Sequence, residues 1–233
     1  MTARRVLIMG GGSGIGAATA ALFAARGAEV VITGRDEARL AATAGEKITA
    51  RRLDAAVDDD VTAFFAGDAE YDDLVLALSG GAGAGPFADL DLAGLRRAFD
   101  EKFWLHLGVL QAALPRLRGS VTFITASSAR AALAGTAGLA AVNGALEAMV
   151  GPLATELAPL RVNAVSPGVV ATPWWDGLPA DQREAMFAEH AAKLPVGRIG
   201  RPEDVAEAVV FAATNGFTTG QVIAVNGGLS LAS

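Results

Sequence analysis

The first residues able to do chemistry form a turn: Gly10-Gly11-Gly12-Ser13-Gly14-Ile15-Gly16 follows the apolar run Val6 to Met9 and precedes Ala17 to Arg26, which is helical in composition. A strand, a glycine turn and a helix start make an anion cradle. Glycine lets the backbone turn tightly and approach a pyrophosphate, and unpaired N–H groups at the helix N-terminus favour its charge. Gly12-Ser13-Gly14-Ile15-Gly16-Ala17 also fits the general dinucleotide fingerprint that ends in alanine. Glycines that merely make a turn would read the same way. Thr33-Gly34-Arg35-Asp36 closes the second apolar run, where an acid holds the ribose 2′-hydroxyl of NAD and an arginine the 2′-phosphate of NADP. With Gly34 at the strand end and Arg35 after it, NADP is expected and Asp36 keeps NAD as the alternative. Solvated helix-start charges remain the plain reading of both.

A second candidate group is Lys102 with His106, one helical turn apart in the stretch Asp100 to Leu114 and within side-chain reach of each other. A lysine in a partly apolar pocket has its pKa lowered, and a histidine needs little shift to work near neutrality, so the pair suits a proton relay. A packed lysine and a packed histidine would show the same spacing. The chain has two histidines, His106 and His190, without zinc-site spacing, so no protein-held catalytic metal is expected.

These residues need a scaffold. Apolar runs at Val6 to Met9, Glu29 to Thr33, Ile48 to Leu53, Leu74 to Leu78, Val121 to Thr125, Arg161 to Val165 and Val222 to Val225 alternate with Ala/Leu-rich helical stretches. Such alternation predicts crossover units and a parallel sheet covered by helices on both faces. The expected fold is α/β: a single-domain, Rossmann-type doubly wound parallel sheet of about seven strands spanning residues 1–233. An excess of 25 acidic over 19 basic residues, net charge -6, argues against a nucleic-acid surface. Cysteine is absent, which excludes disulfides, thiolate zinc sites and a thiol nucleophile and fits a cytoplasmic location. The opening apolar run is too short for a signal-peptide core, and no apolar stretch is expected to span a bilayer.

The spacing Gly10-x-x-x-Gly14-x-Gly16 resembles the glycine turn of the short-chain dehydrogenase/reductases, and the resemblance extends over almost the whole chain. Asp54-Ala55 is similar to that family's adenine-contacting pair. Asn163-Ala164-Val165-Ser166-Pro167-Gly168-Val169-Val170-Ala171-Thr172 resembles its segment beside the nicotinamide, which implicates Pro167, Gly168, Val170 and Thr172. Ser79 and Gly80 stand in its passage beside the adenine ribose. Gly197 to Asp204 and Thr219 to Gly228 are further similar blocks. Trp174 and Trp175 fall where the family places a substrate lid, around 168–195; stacking on substrate and anchoring the lid are both open.

The family implies a serine that holds the substrate oxygen, a tyrosine that exchanges the proton, and a lysine that tunes the tyrosine and holds the ribose. Ser128 matches by strand end and Ser127 by counting. Leu139-Ala140-Ala141-Val142-Asn143 stands where Tyr-x-x-x-Lys is expected, and Tyr71, the sole tyrosine, lies far upstream. Leucine exchanges no proton; Asn143 offers a hydrogen bond to a ribose without charge. Lys102 aligns with the family's helix asparagine and is the candidate replacement acid. The implied function is hydride transfer between NADP(H) and a small carbonyl, alcohol or imine substrate with non-standard proton handling. The alternatives are a non-catalytic dinucleotide-binding scaffold or sensor, and non-redox use of the pocket as in the similar halohydrin dehalogenases. The resemblance also implies a homodimer or homotetramer through the helices of Asp89 to Leu117 and Thr136 to Leu157.

Overall fold

Along the strand β1 (Arg5–Met9), Val6 and Ile8 enter one apolar layer while Leu7 and Met9 enter the other, and all four are inaccessible to solvent. A strand that is dry on both faces needs helices on both. The computed structural model, which describes residues 3–231, supplies them around a seven-stranded sheet. The other strands are β2 (Glu29–Gly34), β3 (Ile48–Arg52), β4 (Tyr71–Leu76), β5 (Leu117–Ile124), β6 (Arg161–Pro167) and β7 (Val222–Val225). Their spatial order is β3-β2-β1-β4-β5-β6-β7, and every pairing is parallel. The order reverses between β1 and β4, so a crevice opens there at the carboxyl ends of the strands.

Helices α1 (Gly14–Ala25) and α8 (Pro202–Thr214) cover one face through Ala20, Phe23, Val205 and Val209. On the other face lie α3 (Asp58–Phe65), α5 (Leu105–Ala113) and α6 (Ala137–Glu156), contributing Val61, Phe65, Val109, Leu110, Leu146 and Val150. Three more, α2 (Glu37–Thr43), α4 (Leu92–Ala98) and α7 (Ala180–Lys193), complete the helical set.

Three expectations are corrected. The fourth strand runs 71–76 rather than 74–78, because the backbone of Ala77 and Leu78 turns against Gly10, where a Cβ would sit 2.5 Å from the Ala77 carbonyl oxygen. The helix expected from Asp100 to Leu114 is continuous in direction but not in register: Phe99–Trp104 is π-helical between α4 and α5. Residue composition does not distinguish that wider turn from an α-turn. The expectation that no stretch suits a bilayer also fails by length and composition, since the 20-residue α6 is apolar enough to cross one. In the fold α6 is a crossover helix that packs Leu146 and Val150 against the sheet.

Candidate functional site

The crevice is framed first by the glycine turn. Its glycines divide by what they face. A Cβ on Gly16 would lie 2.2 Å from the carbonyl oxygen of Gly10, and Gly10 itself has φ +83° besides its contact with Ala77. These two are demanded by the fold, as are Gly11, whose Cβ would lie 2.6 Å from Ile32, and Gly14, by its left-handed backbone. On Gly12 the nearest atoms to an added Cβ are at 3.4 Å and belong to the start of α2, and on Gly14 (φ +52°) they are at 3.3 Å on Thr172. Ser13 occupies the N-cap of α1 without giving it a side-chain hydrogen bond. The first N–H groups of α1 therefore face the crevice uncapped, with glycine at the cradle rim, an arrangement that fits a pyrophosphate. Ile15 turns away and packs into the α1/α8 layer.

At the end of β2, Asp36 is committed: its carboxylate accepts the Arg39 N–H at 3.0 Å and caps α2. Capping fixes this side chain toward its own helix. Arg35 is exposed and forms no ion pair among the described residues, leaving a planar cation beside the strand end. Asp54 closes a local turn through the Ala56 N–H (3.0 Å), with Ala55 packed on the sheet. Gly168 passes so close to Asn226 that a Cβ would approach its Cα at 2.9 Å, which fixes the chain just after Pro167. Ser79 is exposed beside the turn, and the Gly80 carbonyl accepts the Trp174 indole N–H at 3.1 Å.

The chemical end is assembled from three elements. Lys102, on the π-helical turn, donates from Nζ to Asn143 Oδ1 at 2.8 Å. Asn143, on the buried face of α6, directs its Nδ2 to the Leu139 carbonyl at 2.9 Å and lies 3.4 Å from Ser128 Oγ. Burial pushes the Lys102 ammonium down to about 8, opposed by the negative charge of Glu147. An amine tuned this way exchanges protons near neutrality. π-Helical turns are frequent at functional sites, and here the turn carries the lysine. The two serines separate: Ser127 is buried and spends its hydroxyl on the Ser166 carbonyl at 3.1 Å, whereas Ser128 lies beside Asn143.

His106 does not join Lys102's ammonium. Its ring is fully buried, with Nδ1 2.7 Å from the Lys102 backbone oxygen and Nε2 3.2 Å from the Leu76 oxygen. Burial, with the neighbouring Lys102 charge, pushes it down to about 3. Both ring nitrogens face backbone oxygens rather than the Lys102 side chain, so the expected side-chain relay between the two is not formed. Tyr71 opens the central strand β4 at its amino end, buried under the Arg5 guanidinium, and cannot reach the crevice at the carboxyl ends of the strands.

The tryptophans also separate. Trp175 donates to the Val170 carbonyl at 2.9 Å and packs edge-on against Phe187 of α7. Trp174 meets Trp175 edge-on at 4.5 Å, is 42% exposed, and reaches the Gly80 carbonyl. One ring anchors the segment and the other spans toward the loop after β4. Glu147 was not anticipated from the sequence: nearly buried on α6, it binds Thr125 and Arg130 on either side of the serines. Its position four residues after Asn143, on the same helix face, was the available signal.

Comparison with known proteins agrees with this geometry. Residues 10–230 match the family described as enoyl-(acyl carrier protein) reductase. The chain is 37% identical, over 250 aligned positions, to cis-4-hydroxycyclohexanecarboxylate dehydrogenase of Sinomonas cyclohexanicum, covering 97% of this chain and 96% of that one. It is 32% identical to the short-chain dehydrogenase/reductase ATR9 of Stachybotrys chlorohalonatus, with 97% and 96% covered. Among solved structures, a small-chain dehydrogenase in complex with NADPH superimposes with a TM-score of 0.85 at 33% identity, covering 99% of this chain and 100% of that one. With a parallel sheet, a glycine cradle at its switch point and matches of this extent, the chain belongs to the short-chain dehydrogenase/reductase family of oxidoreductases.

Proposed function

We propose that the protein is an atypical NADP-dependent oxidoreductase for a small carbonyl, alcohol or imine, in which Lys102 takes over the proton step that tyrosine performs elsewhere in the family. The observation that carries this reading is the Lys102 Nζ to Asn143 Oδ1 contact of 2.8 Å. Leu139 and Asn143 occupy the positions of the family's tyrosine and lysine, and the missing ammonium returns from the facing helix.

The cofactor, when bound, supplies or takes the hydride. Gly12, Ser13, Gly14 and the start of α1 would hold its pyrophosphate, Arg35 its 2′-phosphate, Asp54 and Ala55 the adenine, Ser79 and Gly80 the adjoining ribose, Asn143 the nicotinamide ribose, and Pro167, Gly168, Val170 and Thr172 the nicotinamide. The chain's own residues do the rest. Ser128 orients the substrate oxygen, and Lys102 gives that oxygen a proton as negative charge develops on it; positioned acids of this kind contribute about 10²–10⁴-fold. An imine that arrives protonated needs only the positioning. Residues 168–195 act as a lid, with Trp175 anchoring and Trp174 roofing the crevice. His106 serves packing. The NADPH complex of the structural neighbour and the cyclic hydroxy acid named for the Sinomonas relative support this reading and direct the substrate screen toward cyclic ketones. Exposed Leu92 and Trp104 beside the α4–α5 segment suit a homodimer or homotetramer, which light scattering tests.

Parallel calorimetric titration with NADPH and NADH, followed by turnover of a carbonyl and imine panel, tests the reading. Preferential NADPH binding with turnover is expected. Binding without any turnover would favour the scaffold alternative, and failure to bind either nucleotide would overturn the proposal.

A further inference from the structure

Glu147 is held as few surface carboxylates are. Its side chain is 5% exposed, and each of its oxygens grips a different end of one short turn. Oε1 accepts the Thr125 hydroxyl at 2.8 Å, and Oε2 receives the Arg130 guanidinium at 2.7 Å. Between them lies the turn Ser127–Ala129, which carries Ser128. One carboxylate thus ties the serine-bearing turn to α6, one helical turn beyond Asn143.

Burying a carboxylate is costly, and an apolar residue at this position would pack at lower cost. Arg130 offsets only part of that cost, since its own side chain is 58% exposed. The charges near Lys102 narrow what else the carboxylate does. On the lysine's own segment, Asp100 and Glu101 are exposed, Glu101 lying against Gly80. The ring nitrogens of His106 face backbone oxygens, and Arg130 is already committed to Glu147. From α6 the charge that acts on Lys102 is that of Glu147.

We propose that Glu147 is the positioning residue of the site: it locks the Ser128 turn against α6 and sets its negative charge one helical turn from Asn143, which holds the Lys102 amine. The catalytic side of this inference rests on Lys102 being the proton donor, whereas its electrostatic side is measurable without substrate. The chain has only three lysines, Lys47, Lys102 and Lys193, so ¹³C-labelled lysine side chains give few resonances and Lys102→Met assigns the relevant one.

In cofactor-free protein, Glu147→Gln should make Lys102 titrate at lower pH than in the parent. Arg130→Met, which leaves the carboxylate unneutralised, should move it the opposite way. In turnover, Glu147→Gln should lower kcat by about tenfold to a hundredfold, as small misplacements of reacting groups do, while KM for NADPH changes little. Glu147→Asp, which keeps the charge, should restore much of the Lys102 titration. A purely structural residue would lower thermal stability in these variants and leave Lys102 where it was. An unmoved Lys102 resonance in folded Arg130→Met, or in folded Glu147→Gln, overturns the inference. If Lys102 shifts as expected but the parent turns over nothing in the panel, the positioning role stands and the oxidoreductase reading fails.

Discussion

The two ends of the crevice are constrained by different things. At the glycine turn the constraint is steric and internal: Gly16 has a backbone oxygen 2.2 Å from where its Cβ would be, and Gly10 sits at positive φ against the backbone of Ala77, just after β4. Those residues persist in any chain that makes this turn, whether or not it does chemistry. At the other end the same demand falls on Gly138, whose Cβ would lie 2.5 Å from the Gly83 carbonyl oxygen, but not on the positions whose side chains could do chemistry. α6 is the same crossover helix with Leu139 as with an aromatic acid, and the π-helical turn accepts Lys102 because Asn143 offers it an acceptor. A glycine motif therefore reports the fold, and reaction type must be read from the side-chain contacts.

The largest effect that would sharpen this contrast is Lys102→Met. It should cut turnover by about 10²–10⁴-fold and weaken NADPH binding far less, through the loss of its contact with Asn143. Equal losses in both would break the separation between the ends. The same residue sets the pH response. Reduction needs the protonated amine, so its rate should hold level below the Lys102 value of about 8 and fall as pH rises through it. A pH–rate profile in Lys102→Met should lose that limb.

Within the cofactor end, Gly16→Ala and Gly12→Ala divide fold from ligand. The first places a Cβ 2.2 Å from the Gly10 oxygen and should cost about 3 kcal/mol, lowering Tm by roughly 10 °C. The second meets its nearest atoms at 3.4 Å and should leave Tm nearly unchanged while weakening NADPH binding. Thermal melts with and without NADPH distinguish them; equal destabilisation by both would show that the whole turn is structural.

This contrast also explains what the sequence made legible. The parallel sheet and the turn could be read because they follow from local patterns: continuous apolar runs alternating with helical stretches, and a glycine motif between strand and helix, whereas the strand order is a property of the fold. Lys102 could be singled out, but not its partner, because the contact to Asn143 joins residues 41 positions apart. His106 shared a helical spacing with Lys102, yet the π-helical turn and the Leu76 carbonyl took its ring elsewhere. Ser127 and Ser128 are adjacent in the chain and differ only in which element each hydroxyl meets. Glu147 carries no motif at all; its importance is a property of two tertiary contacts.

Arg35→Ala tests the nucleotide assignment with an intermediate effect. A charge-assisted contact to a phosphate is worth about 1.5–3 kcal/mol, so NADPH affinity should fall about 10- to 100-fold while NADH affinity changes little. A parallel loss for both would mean that Arg35 acts on the fold at the start of α2, as Asp36 does through its cap.

The smallest effect belongs to the lid, where the two tryptophans repeat the contrast between ends in miniature. Trp175 is tied to its own segment through Val170, so its replacement by phenylalanine should lower stability and leave KM nearly intact. Trp174 reaches across to the Gly80 carbonyl with an indole still 42% exposed. Phenylalanine there keeps an aromatic surface and removes one neutral hydrogen bond, whose net worth is about 0.5–1.5 kcal/mol. Substrate KM should therefore rise about 2- to 10-fold with little change in kcat or Tm. Because that bond joins the lid to the loop after β4, a change in Tm without a change in KM would reassign Trp174 from the crevice to the scaffold, and the split between the two rings would disappear.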